Sequence, residues 1–229
     1  MDFSSICKTF VGLQSFPVMI IYLIIVILSP YYQKVTKPIS PQKLMICYNV
    51  CCSVASSITG VVFIIAIYQM QSLYLMETSE LLKQAYLLYW MMKNFELMDT
   101  VFMILRHKHR QISFLHVYHH ASMVLLTDYA YHLFPYVGIA FIPTINSFIH
   151  VCLYSYYAYT ALNPSNPPAW KRYLTQLQIL QFLLGGIHAM YGYAFHNFCI
   201  YSLIYAVVMI SLFSNFYYQA YIKKRIKSV

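Results

Sequence analysis

The chain has 229 residues, of which 60% are hydrophobic and 9% charged, where a soluble domain averages about 25% charged residues. That balance excludes a water-soluble globular domain and indicates a polytopic helical membrane protein, since the strand alternation of an outer-membrane barrel is absent. The formal charge of +9 sits in short connections rather than along one face, which argues against a nucleic-acid partner.

In chain order, Met1 to Lys8 carry one acid and one base, and the first apolar run is long enough to span, so no cleavable signal is expected. Candidate spans run over 11–30, 46–68, 84–105, 113–131, 136–161, 173–194 and 198–221. Cations collect in alternate connections: Lys34, Lys37 and Lys43, then Arg106, Lys108 and Arg110, then Lys171 and Arg172, then the tail IKKRIKSV. The other connections hold Glu77 and Glu80, or almost no charge. By the positive-inside rule the amino terminus faces outside, the carboxyl terminus faces the cytosol, and seven spans lie between. Orientation alone accounts for these basic loops.

The six cysteines, at 7, 47, 51, 52, 152 and 199, form no CxxC pair and no metal-finger spacing. Those inside spans read as ordinary packing. A disulfide between Cys7 and Cys199 stays open, with nothing to support it. Repeats and linkers are absent, and LNPSNPPAW reads as a rigid helix-breaking connection, so residues 1–229 form one domain.

Polar residues inside spans should face protein or water. The third span places Lys93, Glu96, Asp99 and Thr100 at i, i+3, i+6 and i+7. The fourth places His116, His119 and His120 at i, i+3 and i+4. Asn146, His150, Tyr154 and Tyr157 line one face of the fifth, and Gln178, Gln181, Gly185 and His188 one stripe of the sixth. Four consecutive helices each hide a polar stripe, so they are expected to face one another around a chamber. A rise of about 1.5 Å per residue puts Asp99, His120 and Gln178 roughly 10 Å from the cytosolic ends of their helices, and His150 ~18 Å. His188 falls towards the other side and reads as a packing or interfacial histidine. A single buried Asn, Gln or His is ordinary interhelical glue; the whole set exceeds what glue requires.

Metal binding is the first chemistry to weigh, because His116 and His120 at i, i+4 can chelate one ion. Membrane desaturases and hydroxylases hold two irons with several HxxHH boxes, drawing on eight or more histidines at cytosolic depth. Only nine histidines exist here, and His132, His188 and His196 lie at the wrong end. His107 and His109 sit among Arg106, Lys108 and Arg110, which repel a cation. One isolated box makes a poor diiron site, while a mononuclear zinc site completed by His150 or Asp99 stays open. Nucleophilic or general-base work fits better: a neutral imidazole can attack or abstract, Asp99 at matching depth can orient it, and a second histidine can donate to an oxyanion. A seven-span receptor or transporter would also carry a polar stripe, but its ligand normally enters from outside, away from this cytosolic depth.

The stretch KNFELMDTVFMILRHKHRQISFLHVYHHASM resembles the KxxExxDT and HxxHH signature of the ELO family of very-long-chain fatty acid elongases. INSFIHVCLYSYYAY is similar to that family's NxxxHxxMYxYY, with Leu153 where Met is usual. WKRYLTQLQILQF resembles its KxxT…QxxQF, and SLFSNFYYQAY a further motif; upstream, KPISPQKLMICYN is like the family's entry to its second helix. The resemblance runs from about residue 30 to 222. The departures are a short amino terminus and a loop in which His107 and His109 dilute the usual Lys and Arg.

The resemblance implies an all-α membrane protein of the endoplasmic reticulum, with seven transmembrane helices, six of them around an enclosed acyl tunnel. It implies condensation of an acyl-CoA with malonyl-CoA to a 3-ketoacyl-CoA, carbon dioxide and CoA, with no metal or organic cofactor. The implied partners are those two substrates, membrane lipid and the other enzymes of the elongation cycle. His119 would carry the acyl group and His150 would be its partner, with His116, His120 and Asp99 in support. Asn146, Gln178 and Gln181 are candidate donors to thioester carbonyls or the CoA arm, and Tyr154 and Tyr157 line the same face as His150. Lys93 and Glu96 either meet substrate or form a structural pair. Arg106, Arg110, Lys171 and Arg172 gain a second use as an entrance for CoA phosphates. Arg225 and Lys227 resemble a dibasic retrieval signal, or simply hold orientation.

Overall fold

The computed structural model describes residues 8–223, and among these every regular element is a helix. In chain order these are α1 (Ser15–Val35), α2 (Gln42–Met70), α3 (Glu80–Phe95), α4 (Met98–Leu105), α5 (Phe114–Leu133), α6 (Val137–Leu162), α7 (Lys171–Phe195) and α8 (Ile200–Tyr217). A short 3₁₀ turn, His109–Gln111, precedes α5, and α8 ends in a wider π turn, Tyr218–Ile222. Cys7, Arg225 and Lys227 lie outside the described residues. Two compact units divide the chain, one of Met1–Met45 with Tyr86–Pro135 and one of Ile46–Ala85 with Tyr136–Val229.

Among the described residues four helices are long and apolar enough to cross a bilayer: α1, α2, α6 and the continuous Ile200–Ile222, with mean hydropathy of 1.9, 2.4, 1.6 and 1.6. On α1, Ile21, Ile27 and Leu28 are 58%, 74% and 57% exposed. So much apolar surface suits contact with lipid tails. The chain is a helical membrane protein. α3, α4, α5 and α7 fall outside that group of four: α3 and α4 are only 16 and 8 residues long, and in α5 and α7 polar residues lower the hydropathy. α5 carries three box histidines and Asp128 within 20 residues, and α7 carries Lys171, Arg172, Gln178 and Gln181.

Within the first unit, α1 begins without a cap of its own, because the Gln14 side chain makes no capping bond. The Ser15 N–H instead donates to the Asp128 carboxylate at 2.6 Å, and the Trp90 indole donates to the Ser15 hydroxyl at 2.7 Å. An unpaired N-terminal amide is thus satisfied from another helix. Asp128 is fully buried, and its other oxygen pairs with His132 Nδ1 at 2.5 Å. At the far end, the Ile39 N–H donates to the Leu105 carbonyl at 2.8 Å and Gln33 Nε2 to the Ile104 carbonyl at 3.2 Å. These bonds occupy the free carbonyls that end α4.

The expected third span, 84–105, is not one uniform helix. Between α3 and α4 the backbone tightens: Leu97 N–H donates to Asn94 O (3.3 Å), Asp99 N–H to Glu96 O (3.1 Å) and Thr100 N–H to Leu97 O (3.1 Å). These bonds reach three residues back, as in a 3₁₀ turn. The tightening falls where Asn94 bonds the Trp90 carbonyl (2.9 Å) and Lys93 pairs with Glu96. Its consequence is a shifted face: Lys93, Glu96 and Thr100 are buried while Asp99 is only half-buried.

In the second unit, α7 packs against both α6 and α8, with Phe182 and Phe213 rings 5.2 Å apart. α2 is tied to α6 by Ser53, whose hydroxyl reaches Val151 O (3.3 Å) and Ser155 Oγ (3.0 Å). The first amides of α6, at Val137 and Gly138, donate to Glu77 O (2.9 Å) and Leu75 O (2.8 Å). Phe198 wedges between two glycines. A Cβ at Gly138 would stand 2.7 Å from its ring, and one at Gly192 would overlap it. Overpacking of a fixed ring costs about 1–3 kcal/mol. Gly192→Ala should therefore lower the thermal midpoint in detergent, whereas Gly186→Ala, whose added carbon meets Ala206 Cβ at 3.6 Å, should leave it near wild type.

Candidate active site

Ser113 starts the histidine-bearing helix. Its hydroxyl accepts the His116 N–H at 3.3 Å, which places the box in the first two turns of α5. A helix N-terminus favours negative charge developing beside it. The rings of His116 and His120 are 4.3 Å apart, and that of His119 lies 5.5 Å from His120 and nearly perpendicular to it (88°). His120 is buried, while His116 and His119 are half-buried. Three imidazoles therefore crowd one helix face, as their spacing predicts.

His116 Nε2 lies 2.8 Å from the Thr100 hydroxyl, so α4 and α5 meet at the box. Thr100 in turn stands 3.2 Å from the Tyr22 hydroxyl on α1. Sequence reasoning missed Tyr22. The available signal was one phenol within the apolar run MIIYLIIVIL, though nothing local distinguishes it from an interfacial tyrosine. Asp128 was missed too, although an acid inside a span invites a search for its partner. It lies off the box face, on the side that receives α1 and His132.

Lys93 and Glu96 pair with each other. Nζ is 3.0 Å from both carboxylate oxygens, the residues are 3% and 1% exposed, and the ammonium also lies 4.9 Å from the Tyr89 ring centre. Each charge is neutralised here by the other. Arg106 is half-buried and Arg110 exposed.

The second unit holds the remaining polar stripes. Asn146 Nδ2 donates to Gln181 Oε1 at 3.2 Å, joining α6 to α7 with both side chains buried. His150 is 6% exposed, and its ring lies 5.7 Å from Tyr154, itself edge-on to Tyr48 at 6.1 Å. Tyr157 departs from the expected burial: it is 37% exposed, although its ring edge still meets Tyr154 at 6.1 Å. Eleven positions are about three full turns, so Tyr157 keeps the bearing of Asn146 but lies about 16 Å further along the axis, towards the end of α6. Gln178 is half-buried, and Lys171 is exposed. His188 packs in the interior, with Nε2 2.8 Å from the Gly138 carbonyl. Among the described residues, no three His, Cys, Asp or Glu side chains are grouped to hold a metal ion.

Removing one member of a buried ion pair strands the other and costs about 3–5 kcal/mol. Lys93→Met and Glu96→Leu should each sharply lower the denaturation midpoint in micelles. The double variant should recover much of that loss, because an apolar pair leaves no buried charge.

The chain matches the GNS1/SUR4 (ELO) family over residues 13–229. It is 34% identical over 218 residues to very long chain fatty acid elongase 5 of Bos taurus, covering 90% of this chain and 73% of that protein. The Homo sapiens elongase 5 gives the same identity and coverage. Very long chain fatty acid elongase 2 of Mus musculus is 34% identical over 229 residues, covering 94% of this chain and 78% of its own. Similarity of that extent, across both the histidine-bearing unit and the glutamine-bearing one, displaces the diiron oxygenase and receptor readings: the chain belongs to the ELO family and is a fatty acid elongase of lipid biosynthesis.

Proposed function

We propose that the chain catalyses the condensing step, joining a long-chain acyl-CoA to malonyl-CoA through an acyl-histidine. The observation that carries this reading is the histidine cluster itself, three imidazoles in ring contact on α5 with one anchored by Thr100. A nitrogen of His119 attacks the thioester carbonyl and expels CoA, whose thiolate takes up the proton released by the imidazole. Malonyl-CoA loses carbon dioxide, and the resulting carbanion attacks the acyl carbon. The C–N bond breaks, returning neutral His119 and giving 3-ketoacyl-CoA. Overall, acyl-CoA, malonyl-CoA and one proton give 3-ketoacyl-CoA, carbon dioxide and CoA. No metal or organic cofactor takes part. His150 is the partner histidine of the condensation, His116 and His120 support the nucleophile, and Asp99 orients an imidazole. Asn146, Gln178 and Gln181 hydrogen-bond the thioester carbonyls or the CoA arm, and Tyr154 flanks His150, with Tyr157 against the Tyr154 ring.

Seven spans enclose this chemistry in the proposal, six of them around an acyl tunnel. Residues 80–105, 114–133 and 171–195 supply the three further spans. At 1.5 Å per residue each is about 30 Å or longer, the thickness of a hydrocarbon core. The break between α3 and α4, and the polar stripes of α5 and α7, explain why length and composition alone understate them. A water-poor tunnel would protect an acyl-imidazole from hydrolysis. Arg106, Arg110 and Lys171 flank the CoA entrance on the cytosolic side of the endoplasmic reticulum membrane, where acyl-CoA, malonyl-CoA and the other enzymes of the cycle are met.

Purified protein given acyl-CoA alone, in chelator-containing buffer, should release CoA and gain one acyl mass mapping to His119. His119→Ala should abolish both, and His150→Ala and Asp99→Asn should slow turnover while the protein still folds. An adduct on a cysteine such as Cys152, or one that persists in His119→Ala, refutes the assignment. In sealed microsomes, protease added outside should cut the 106–110 loop and the carboxyl tail and spare the Glu77–Glu80 connection. The opposite pattern refutes the orientation.

A further inference from the structure

The histidine box is not held by its own helix alone. Two groups approach the Thr100 hydroxyl: the Tyr22 phenol at 3.2 Å and His116 Nε2 at 2.8 Å. Tyr22 is 4% exposed and Thr100 1%, so water supplies neither with a substitute partner. A threonine hydroxyl has one proton to give and two lone pairs to receive. If Thr100 gave its proton to Tyr22, the phenol would need another acceptor, and among the described residues Thr100 is its hydrogen-bond partner. A buried O–H would then be orphaned, whereas the opposite direction pairs every hydrogen. In that direction Tyr22 donates to Thr100, and Thr100 donates to His116 Nε2.

We propose that Tyr22 is a positioning residue for the reaction: acting through Thr100, it fixes neutral His116 in the tautomer that carries its proton on Nδ1. Which nitrogen of a neutral imidazole is protonated follows from the bond the other one makes. With its Nε2 lone pair engaged by Thr100, His116 is neither the nucleophile nor a ligand through that atom. Its Nδ1–H is a fixed donor instead, on a ring 4.3 Å from that of His120. A fixed donor in the first turns of a helix suits negative charge developing on a thioester oxygen. The effect on rate rests on the condensing role proposed above; the tautomer itself does not.

The test separates the two. Full-length protein in bilayers, with ¹⁵N-labelled histidine rings, is observed by solid-state NMR, and His116 is assigned by the signals lost in His116→Gln. A protonated Nδ1 with a bare, hydrogen-bonded Nε2 is expected in wild type, and Tyr22→Phe should redistribute it towards the other tautomer. In turnover, Tyr22→Phe should lower kcat about tenfold with KM for acyl-CoA within about twofold, as loss of an interaction made only in the transition state requires. Thr100→Ser keeps the hydroxyl and should stay within about twofold of wild type, while Thr100→Val loses it and falls with Tyr22→Phe. Tyr22→Phe added to Thr100→Val should cost nothing more, because both break one relay. A wild-type His116 protonated on Nε2, a spectrum unmoved by Tyr22→Phe, or fully additive losses would each overturn the proposal. So would a Tyr22→Phe protein that melts earlier yet keeps wild-type kcat, since that is the mark of a helix contact alone. A wild type that shows the expected tautomer but makes no 3-ketoacyl product would sink the condensing reading and leave the tautomer assignment standing.

Discussion

In a hydrocarbon solvent every polar group must find its partner inside the protein, because no water competes for it. The rest of this molecule follows from that constraint. Lys93 and Glu96 are tolerated at 3% and 1% exposure because each neutralises the other at 3.0 Å. Asp128 is tolerated with no exposure at all because its two oxygens take the Ser15 amide and the His132 ring. Asn146 and Gln181 answer one another across α6 and α7. The Ser15–Asp128 and Asn146–Gln181 bonds, in satisfying that need, also join one helix to another, whereas Lys93–Glu96 and Asp128–His132 close within one segment.

The same constraint gives the histidine cluster its rigidity. A box on a free helix would let three imidazoles turn about their side-chain bonds. Thr100 removes that freedom from His116, and it can reach the ring because the backbone tightens between α3 and α4. Three-residue hydrogen bonds there turn the chain faster than an α-helix would, which buries Thr100 and leaves Asp99 half in the open. A local departure from regular geometry thus accompanies the Thr100 contact to His116. Such departures inside a helix commonly accompany function.

Membership of the ELO family makes the chain a fatty acid elongase, and the structure shows where its polar side chains sit. The polar residues differ in burial: Asn146, Gln181 and His188 are buried and bond within the fold, whereas His119 and Gln178 are half-buried.

The sequence by itself determined the solvent, the helical class and the faces. Low charge and long apolar runs leave no alternative to membrane helices, and residues spaced three and four apart must share a face whatever surrounds them. His116, His119 and His120 were legible on those grounds, and so was the burial of Asn146, His150 and Tyr154, which the structure bears out. Periodicity tells which way a side chain points and never what it meets. The Tyr22–Thr100 contact joins residues 78 apart, and Ser15 and Asp128 are 113 apart. No local pattern encodes either pairing, because each depends on how helices settle after their apolar faces are assigned. The tightened turn was equally hidden, since a span of that length reads as one helix until its side chains compete for the backbone. Tertiary structure therefore decided that Tyr22 reaches Thr100 beside the histidine cluster, that Asp128 caps α1, and that Tyr157, on the same helical bearing as Asn146 but about three turns further along, is left partly uncovered.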